Sequence, residues 1–172
     1  MNEERNLFYA LLYLSGKPIP TTSIKDVIEP FDIENKLLNF VDYFNSLDLG
    51  LTIRYVANGY QMTVDNKLYE ICANFFNIKG EKLSKSSKET LSIIAYNGPI
   101  TKQEIEFIRG VNSSGTIKHL LDRNLVKIAG RKDVPGKPLL YSITDYFFEY
   151  FGLQNLAELP TLREWQELKS NK

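Results

Sequence analysis

The sequence repeats itself weakly at a spacing of about 80 residues, and this repeat constrains the fold more than any other feature. Pro18-Ile19 returns as Pro99-Ile100, and in both copies the pair follows an apolar helical segment and a glycine. A second helical segment follows each pair, and Ile24 of the first copy matches Ile105 of the second. The pattern therefore predicts two copies of one small unit in place of a single larger domain.

Helix-start signals are clearest in the second copy. The segments Ser86–Glu89 and Thr101–Glu104 both have the spacing of a capping box, in which a hydroxyl and a carboxylate three residues apart satisfy backbone donors reciprocally. We therefore predict that helices begin at residues 86 and 101. A third helix is predicted after Asn112 or Ser113, either of which can cap it, because apolar residues follow at helical spacing.

Each copy then continues with a β-hairpin. In the first copy, Leu51–Ala57 and Tyr60–Val64 are predicted strands closed by the two-residue loop Asn58-Gly59, a strong hairpin signal. In the second copy, Leu125–Ala129 and Leu139–Ile143 are joined by a longer loop. Three helices, a hairpin and a following helix define the winged-helix variant of the helix-turn-helix. The predicted fold class is α+β, mostly helical, with two tandem winged-helix domains.

A polar, unpatterned segment separates the two copies and sets the predicted domain boundaries. We assign residues 1–79 to an N-terminal domain, 80–86 to a linker, 87–162 to a C-terminal domain and 163–172 to a tail. A unit of about 80 residues buries only a little over half of its unfolded surface. Self-association is therefore plausible from size alone.

The chain contains few residues of the types that form catalytic or metal-binding sites. It contains one histidine and one cysteine, too few for a zinc site. His119 is predicted to be a solvated residue of the third helix. Cys72 lies on the apolar face of a helix capped by Asp65, and we predict that it is a buried core thiol. No catalytic, metal-binding or cofactor-binding residue is predicted, and the chain is not expected to be an enzyme.

Charge favours protein partners over nucleic acid. The formal net charge is zero, from 21 basic and 21 acidic side chains, so no global field attracts DNA. The segment Arg109–Pro138 is nevertheless basic, and a hairpin loop with Arg131, Lys132 and Lys137 could contact phosphates. A winged-helix DNA-binding regulator is therefore the alternative function, although the third helix offers few base-reading side chains.

Aromatic residues crowd the end of the second copy. A domain this small can bury only a few large rings. We therefore hypothesise that part of this cluster forms an exposed groove for a partner helix or peptide. The aromatic residues are Tyr141, Tyr146, Phe147, Phe148, Tyr150 and Phe151.

The start of the chain, Met1–Arg5, lacks the basic residues and the long apolar run of a secretion signal. No stretch approaches 18 uninterrupted apolar residues. We therefore expect a cytoplasmic protein without a membrane span.

Several ordered motifs of the second copy resemble the family of segregation and condensation protein B. They are Glu89–Tyr96, Pro99–Thr101, Ile108–Ser113, Gly130–Tyr141 and Tyr150–Leu153. The first copy resembles the same family mainly in pattern, through its apolar first helix and its Asn58-Gly59-Tyr60 hairpin.

The resemblance implies two winged-helix domains, a homodimer and a non-catalytic role in chromosome condensation and partition during cell division. The implied partners are a kleisin subunit, ScpA, and through it an SMC ATPase, with direct DNA contact weak or absent, in a cytoplasmic complex associated with the nucleoid. In the family the C-terminal domain binds the kleisin, while the N-terminal domain forms the dimer. The residues implied for partner binding are Arg131, Lys132, Pro135, Lys137, Tyr141, Phe147, Tyr150, Phe151 and Leu153. The candidates for dimerisation are Leu7, Leu11 and Leu14, which helical spacing assigns equally well to a core.

Overall fold

The repeated order of elements predicted from the sequence is present in the structure, a computed structural model that describes residues 2–78 and 82–160. Its contacts divide the chain into two units. The first unit consists of Met1–Gly80 together with Gly152–Lys172, and the second of Glu81–Phe151.

Among its described residues, the first unit contains four helices and a three-stranded antiparallel sheet in which β3 is central. A short 3-10 turn at Leu156–Glu158 follows near the end of the described chain. In chain order the elements are α1 (Asn2–Ser15), β1 (Ile19–Pro20), α2 (Thr21–Ile24), α3 (Ile33–Ser46), β2 (Leu51–Val56), β3 (Gly59–Val64) and α4 (Asn66–Phe75).

The second unit repeats this order, with β6 as the central strand of its sheet. The mixed helical and antiparallel fold class is thereby confirmed. The elements are α5 (Lys85–Asn97), β4 (Ile100–Thr101), α6 (Lys102–Arg109), α7 (Ser114–Asp122), β5 (Val126–Arg131), β6 (Leu139–Ile143) and α8 (Asp145–Phe151).

A third strand in each sheet is absent from the sequence prediction. The repeated Pro-Ile pairs supply it, since Ile19 pairs with Tyr60 in the first unit and Ile100 with Tyr141 in the second. Each of these strands is two residues long, which is too short to show an alternating pattern. The short strands therefore connect the helices to the hairpins through backbone pairing.

The first hairpin closes one residue earlier than predicted. Ala57 and Asn58 form the two-residue loop, with φ of 48° and 57°, and Val56 pairs with Gly59. Gly59 is part of β3, where it pairs with Val56 and Pro20. A Cβ placed on it would lie 2.6 Å from the carbonyl oxygen of Ile19. The glycine is thus required for the close approach of β1 and not for the turn.

The predicted helix starts are partly confirmed. Thr101 and Glu104 form a capping box, with both reciprocal hydrogen bonds present. The capping box at Ser86–Glu89 was a wrong prediction, because α5 begins earlier and Ser84 is its N-cap, accepting from the Ser87 amide. Asp65 caps α4 as predicted, accepting from the amide of Lys67. Ser113 is the N-cap residue of α7 but makes no side-chain capping bond.

Each unit has an apolar core in which matched positions of the repeat are buried. Ile24 and Leu37 are buried in the first unit, as are their counterparts Ile105 and Ile117 in the second. In the first unit, α1 contributes Phe8 and Leu12 to the core. The matched positions of the two copies are therefore core positions in both units.

We predict that Ile105→Ala lowers the free energy of unfolding by about 2–5 kcal/mol, because it opens a cavity at a side chain with no solvent exposure. The matched control is Ile108→Ala on the same helix, where the side chain is 52% exposed and the expected loss is below about 1 kcal/mol. Urea denaturation followed by circular dichroism measures both. Equal losses in the two variants would contradict the assigned core.

Candidate protein-binding surfaces

The segment that joins β5 to β6, here called the wing loop (Gly130–Pro138, whose first two residues are the end of β5), is held by hydrogen bonds between its two ends. The Arg131 guanidinium donates to the carbonyl oxygen of Lys137 at 3.0 Å, and the Lys132 amide donates to that of Pro138 at 2.9 Å. Pro135 and Lys137 are exposed. The predicted partner-binding residues of this loop therefore lie on an ordered surface projection.

One ion pair joins the wing loop to α6. The Nζ of Lys132 lies 2.6 Å from Oε1 of Glu104, whose other carboxylate oxygen accepts from the backbone amide and the hydroxyl of Thr101. The Lys132 hydrogen bond, followed by those from Thr101, lowers the pKa of Glu104 from 4.5 to about 2. The Glu104 carboxylate thus caps the helix and positions the wing loop at the same time.

The other basic side chains of this segment mostly stabilise the unit itself. Arg109 is almost buried and donates to the hydroxyls of Ser113 and Ser86, both at 3.0 Å. The guanidinium of Arg123 lies over the ring of Tyr150, 5.6 Å from its centroid. With Arg131 and Lys132, four of the seven basic side chains of Arg109–Pro138 therefore make contacts within the unit. The charge available to DNA phosphates is correspondingly reduced.

The aromatic cluster at α8 is divided between core and surface. Tyr141 and Phe147 are buried, so they support the unit from inside and offer no surface to a partner. Tyr150 and Phe151 are exposed, with their ring centroids 5.0 Å apart, and Phe151 packs on Phe147 at the same distance. The exposed pair is therefore a rigid apolar surface supported by the core.

The predicted partner-binding residues lie on several different elements. Residues Leu139–Ile143 of β6 separate the wing loop from α8, and five strand residues span about 15 Å. Leu153 belongs to the first unit, where its carbonyl oxygen accepts from the amide of Ala57 at 3.0 Å. Within the second unit, the wing loop and the exposed pair on α8 therefore belong to different elements, on either side of β6 in the chain.

The predicted dimerisation residues on α1 lie outside the core. Leu7 and Leu14 are exposed and Leu11 is half-buried, while Phe8 and Leu12 between them face inward. The alternative assignment to the core is therefore excluded for Leu7 and Leu14, and Leu11 lies at the border between core and surface.

The apolar side of α4 is an exposed surface, which the sequence analysis did not predict. Cys72 is half-buried and not a core thiol, and no side chain of α4 is buried. The prediction of a buried thiol was wrong because helical spacing of apolar residues fits an interface as well as a core. The exposed side chains are Leu68, Tyr69, Ile71, Phe75, Phe76 and, just beyond the helix, Ile78.

The described residues show no arrangement suited to catalysis at a metal. Within residues 2–78 and 82–160, no group of three or more His, Cys, Asp or Glu side chains could hold a metal ion. His119 is exposed on α7, as predicted. None of the helices in these ranges is long and apolar enough to cross a membrane.

A surface cleft of about 480 Å³ lies on the first unit. Its lining is mainly apolar, from Phe31, Phe40 and Tyr43. Arg5 stacks on the ring of Tyr43 at 4.1 Å, and Lys36 at the edge pairs with Glu4 at 3.1 Å. The charged groups at this cleft are therefore engaged with neighbours of the same unit.

Comparison with known proteins identifies the family. Residues 6–162 match the model for "Segregation and condensation complex subunit ScpB". A segregation and condensation protein B from Acetivibrio thermocellus is 42% identical over 158 residues, which cover 90% of this chain and 80% of the relative. The protein of the same name from Moorella thermoacetica is 38% identical with the same coverage.

These matches place the chain in the class of subunits of bacterial chromosome segregation and condensation complexes. The chain belongs to the ScpB family. Among solved structures, ScpB from Mycobacterium tuberculosis is 24% identical, covers 88% of this chain and 96% of its own, and has a TM-score of 0.43. A conserved protein from Chlorobium tepidum is 26% identical, with 89% and 100% coverage and a TM-score of 0.40.

We predict that Glu104→Gln removes a pH-dependent part of the stability of the second unit. Since the pKa of Glu104 is lowered to about 2 in the folded state, the carboxylate stabilises the fold above its ordinary value of 4.5, and this stabilisation is lost as the pH falls toward 2. The difference in unfolding free energy between wild type and variant is therefore largest at neutral pH.

Urea denaturation between pH 7 and pH 2 measures this difference. The control is Asp133→Asn, which neutralises an exposed carboxylate in the wing loop. A difference between wild type and Glu104→Gln that stays constant over this range would show that the Lys132 and Thr101 contacts do not hold the Glu104 carboxylate in its charged form.

Proposed function

We propose that this chain is the non-catalytic subunit of a condensin-like SMC–kleisin complex, which binds and stabilises the kleisin on the SMC heads. The observation that carries the proposal is the family match, which spans residues 6–162 and so includes both units. Membership of a segregation and condensation family supports a role in chromosome condensation and partition during cell division. ATP hydrolysis then belongs to the SMC partner.

Two tandem winged-helix domains form the framework of the proposal. The repeated order of three helices, a hairpin and a further helix, with a short strand completing each sheet, supports this assignment. Residues 1–79 and 87–162 are the proposed domains and 80–86 the proposed linker. In the structure α5 already begins at Lys85, and the residues that follow Phe151 group with the first unit.

The exposed pair Tyr150 and Phe151 is the proposed centre of the kleisin site. Aromatic side chains that are exposed and rigidly supported give large contact area at a low entropic cost. Phe147 supports the pair from within the core, and Arg123 lies over the ring of Tyr150. The wing loop, with Arg131, Lys132, Pro135 and Lys137, supplies a second, polar contact on the same unit.

Direct DNA binding is proposed to be weak or absent. The chain carries no net charge, and four cations of its basic segment are engaged in internal contacts. The subunit reaches the nucleoid in the cytoplasm through its partners. Affinity for the kleisin should accordingly change little between low and moderate salt, whereas phosphate-driven binding falls steeply.

We predict that Tyr150→Ala combined with Phe151→Ala weakens kleisin binding at least 10-fold, because loss of a central aromatic anchor costs about 2 kcal/mol or more. The kleisin is co-expressed for pull-down, and its affinity is measured by calorimetry. Phe107→Ala is the matched control, since Phe107 is an exposed aromatic residue on α6 of the same unit.

Circular dichroism and thermal melting establish that the double variant is folded, because Phe151 packs on Phe147. Unchanged affinity in the folded double variant would contradict the α8 site. Failure of the wild-type chain to co-purify with the kleisin would contradict the proposed function itself.

A further inference from the structure

Strand β5 is the outer strand of the second sheet, and no other strand of the described chain pairs with its outer edge. The order of the strands in this sheet is β4-β6-β5. All residues of β5 after Val126 are exposed, and Ile128 is 52% exposed. A strand edge that carries an exposed apolar side chain is a surface to which another strand can add.

The pairing with β6 determines which backbone groups of β5 point outward. The amide of Thr144 donates to the carbonyl oxygen of Leu125 at 3.2 Å, so the carbonyl of Leu125 faces β6. Backbone groups alternate in direction along an antiparallel strand, and the register is unbroken as far as Ile128. The amides and carbonyls of Val126 and Ile128 therefore point away from β6.

The corresponding edge of the first unit is closed by a side chain. The carboxamide of Asn45 accepts from the amide of Ile53 at 2.8 Å and donates to the carbonyl oxygen of Ile53 at 3.0 Å. Ile53 lies three residues after Gly50, whose carbonyl oxygen accepts from the residue that follows β3. Ile128 lies three residues after Leu125, which has the same role at β6. Ile53 is therefore the counterpart of Ile128, and Asn45 satisfies both of its outward groups.

The second unit has no amide side chain at this position. Leu37 of α3 and Ile117 of α7 are matched core positions, and on that alignment the counterpart of Asn45 is Leu125. Helix α7 ends before Leu125, which is an apolar and fully buried residue. Among the described residues, no backbone or side-chain hydrogen bond reaches the outward groups of Ile128. The repeat thus closes one sheet edge and leaves the other open.

We infer that the outer edge of β5 receives an extended segment of the kleisin, which adds to the second sheet as a further strand. The inference rests on the proposed function and names a mode of binding on the second unit. The alternating donors and acceptors of a strand edge are matched by the backbone of another strand. A helix cannot match them, because its own hydrogen bonds use its backbone groups.

The two faces of β5 determine which side chains the added segment carries. Ile128 lies on the same face as the buried Val126, because side chains alternate along a strand, and an apolar residue beside it would extend the core. Lys127 lies on the opposite face, where it is exposed and forms no ion pair with a described residue. A carboxylate beside Lys127 would form one. The segment that fits this edge therefore alternates apolar and acidic residues.

The added strand is short. A β-bulge between Ile128 and Gly130 interrupts the register of β5 and limits regular pairing to the half of the strand before it. Gly130 is also the first residue of the wing loop, so a segment paired with β5 continues toward that loop. Strand addition thus supplies part of the affinity and connects the added segment to the wing-loop contact.

Hydrogen exchange of single amides, measured by NMR, tests the pairing. In the free subunit the amide of Lys127 is protected by its bond to β6, whereas that of Ile128 faces solvent and exchanges rapidly. Binding of the full-length kleisin should slow exchange at Ile128 at least 10-fold relative to Lys127. An unchanged ratio of the two rates in the complex overturns the inference.

A pair of variants separates the backbone of Ile128 from its side chain. Ile128→Pro and Ile128→Ala both remove the isoleucine side chain, but only proline also removes the outward amide donor, and edge strands tolerate it. Ile128→Pro should bind the kleisin at least 10-fold more weakly than Ile128→Ala in calorimetry. Circular dichroism verifies that both variants are folded, and equal affinities of two folded variants contradict strand addition. The exchange measurement on the wild-type chain decides the question if the proline variant does not fold.

A charge reversal tests the acidic side of the segment. Lys127→Glu should weaken kleisin binding about 3-fold, since an exposed ion pair contributes little, which is compatible with a weak dependence on salt. Lys118→Glu is the matched control, because Lys118 is an exposed lysine on α7 of the same unit. Equal affinities of the two variants would overturn the acidic character of the segment.

The outcomes separate the inference from the proposal on which it rests. A wild-type chain that does not co-purify with the kleisin overturns the proposed function. Co-purification with an unchanged exchange ratio at Ile128 overturns strand addition and leaves the proposed function. Protection of the Ile128 amide already in the free subunit assigns the edge to the chain's own residues and also overturns the inference.

Discussion

The small size of each unit is the constraint on which the rest of the structure depends. About 80 residues can enclose one layer of helices against one small sheet, and the enclosed positions are filled by side chains such as Phe8, Leu37 and Ile105. The remaining apolar residues of α1, α4 and α8 have no interior left to occupy. Exposed apolar surface is therefore built into a chain of this composition, and such surface is what a subunit that binds other chains requires.

Electrostatics complements this division between core and surface. Arg109 connects the ends of three helices of the second unit through hydroxyl and carboxylate partners, and Lys132 connects the wing loop to the capped start of α6. Cations that resemble a phosphate-binding set in the sequence thus hold α5, α6, α7 and the wing loop in place. This internal use of charge agrees with membership of a family of complex subunits and reduces what remains for DNA.

Much of the local structure could be predicted because its signals lie within a few residues of one another. The capping box at Thr101, the Asp65 cap and the two hairpins have short-range patterns, and all are present. The errors share a different cause. The strand status of the two Pro-Ile pairs and the place of Gly59 in β3 rather than the turn each depend on a neighbour distant in the chain. The start of α5 was missed for a local reason, because Ser84 and not Ser86 supplies the cap.

The sequence alone determined the repeat, the helical and strand periodicities and the resemblance to one family, because these are properties of residue order. Tertiary structure decided which apolar stripe is core and which is surface. Phe147 and Phe151 are the same residue type at i, i+4 spacing, and only the position of the neighbouring elements buries one and exposes the other. Periodicity states that a helix has an apolar side, whereas packing determines what that side meets.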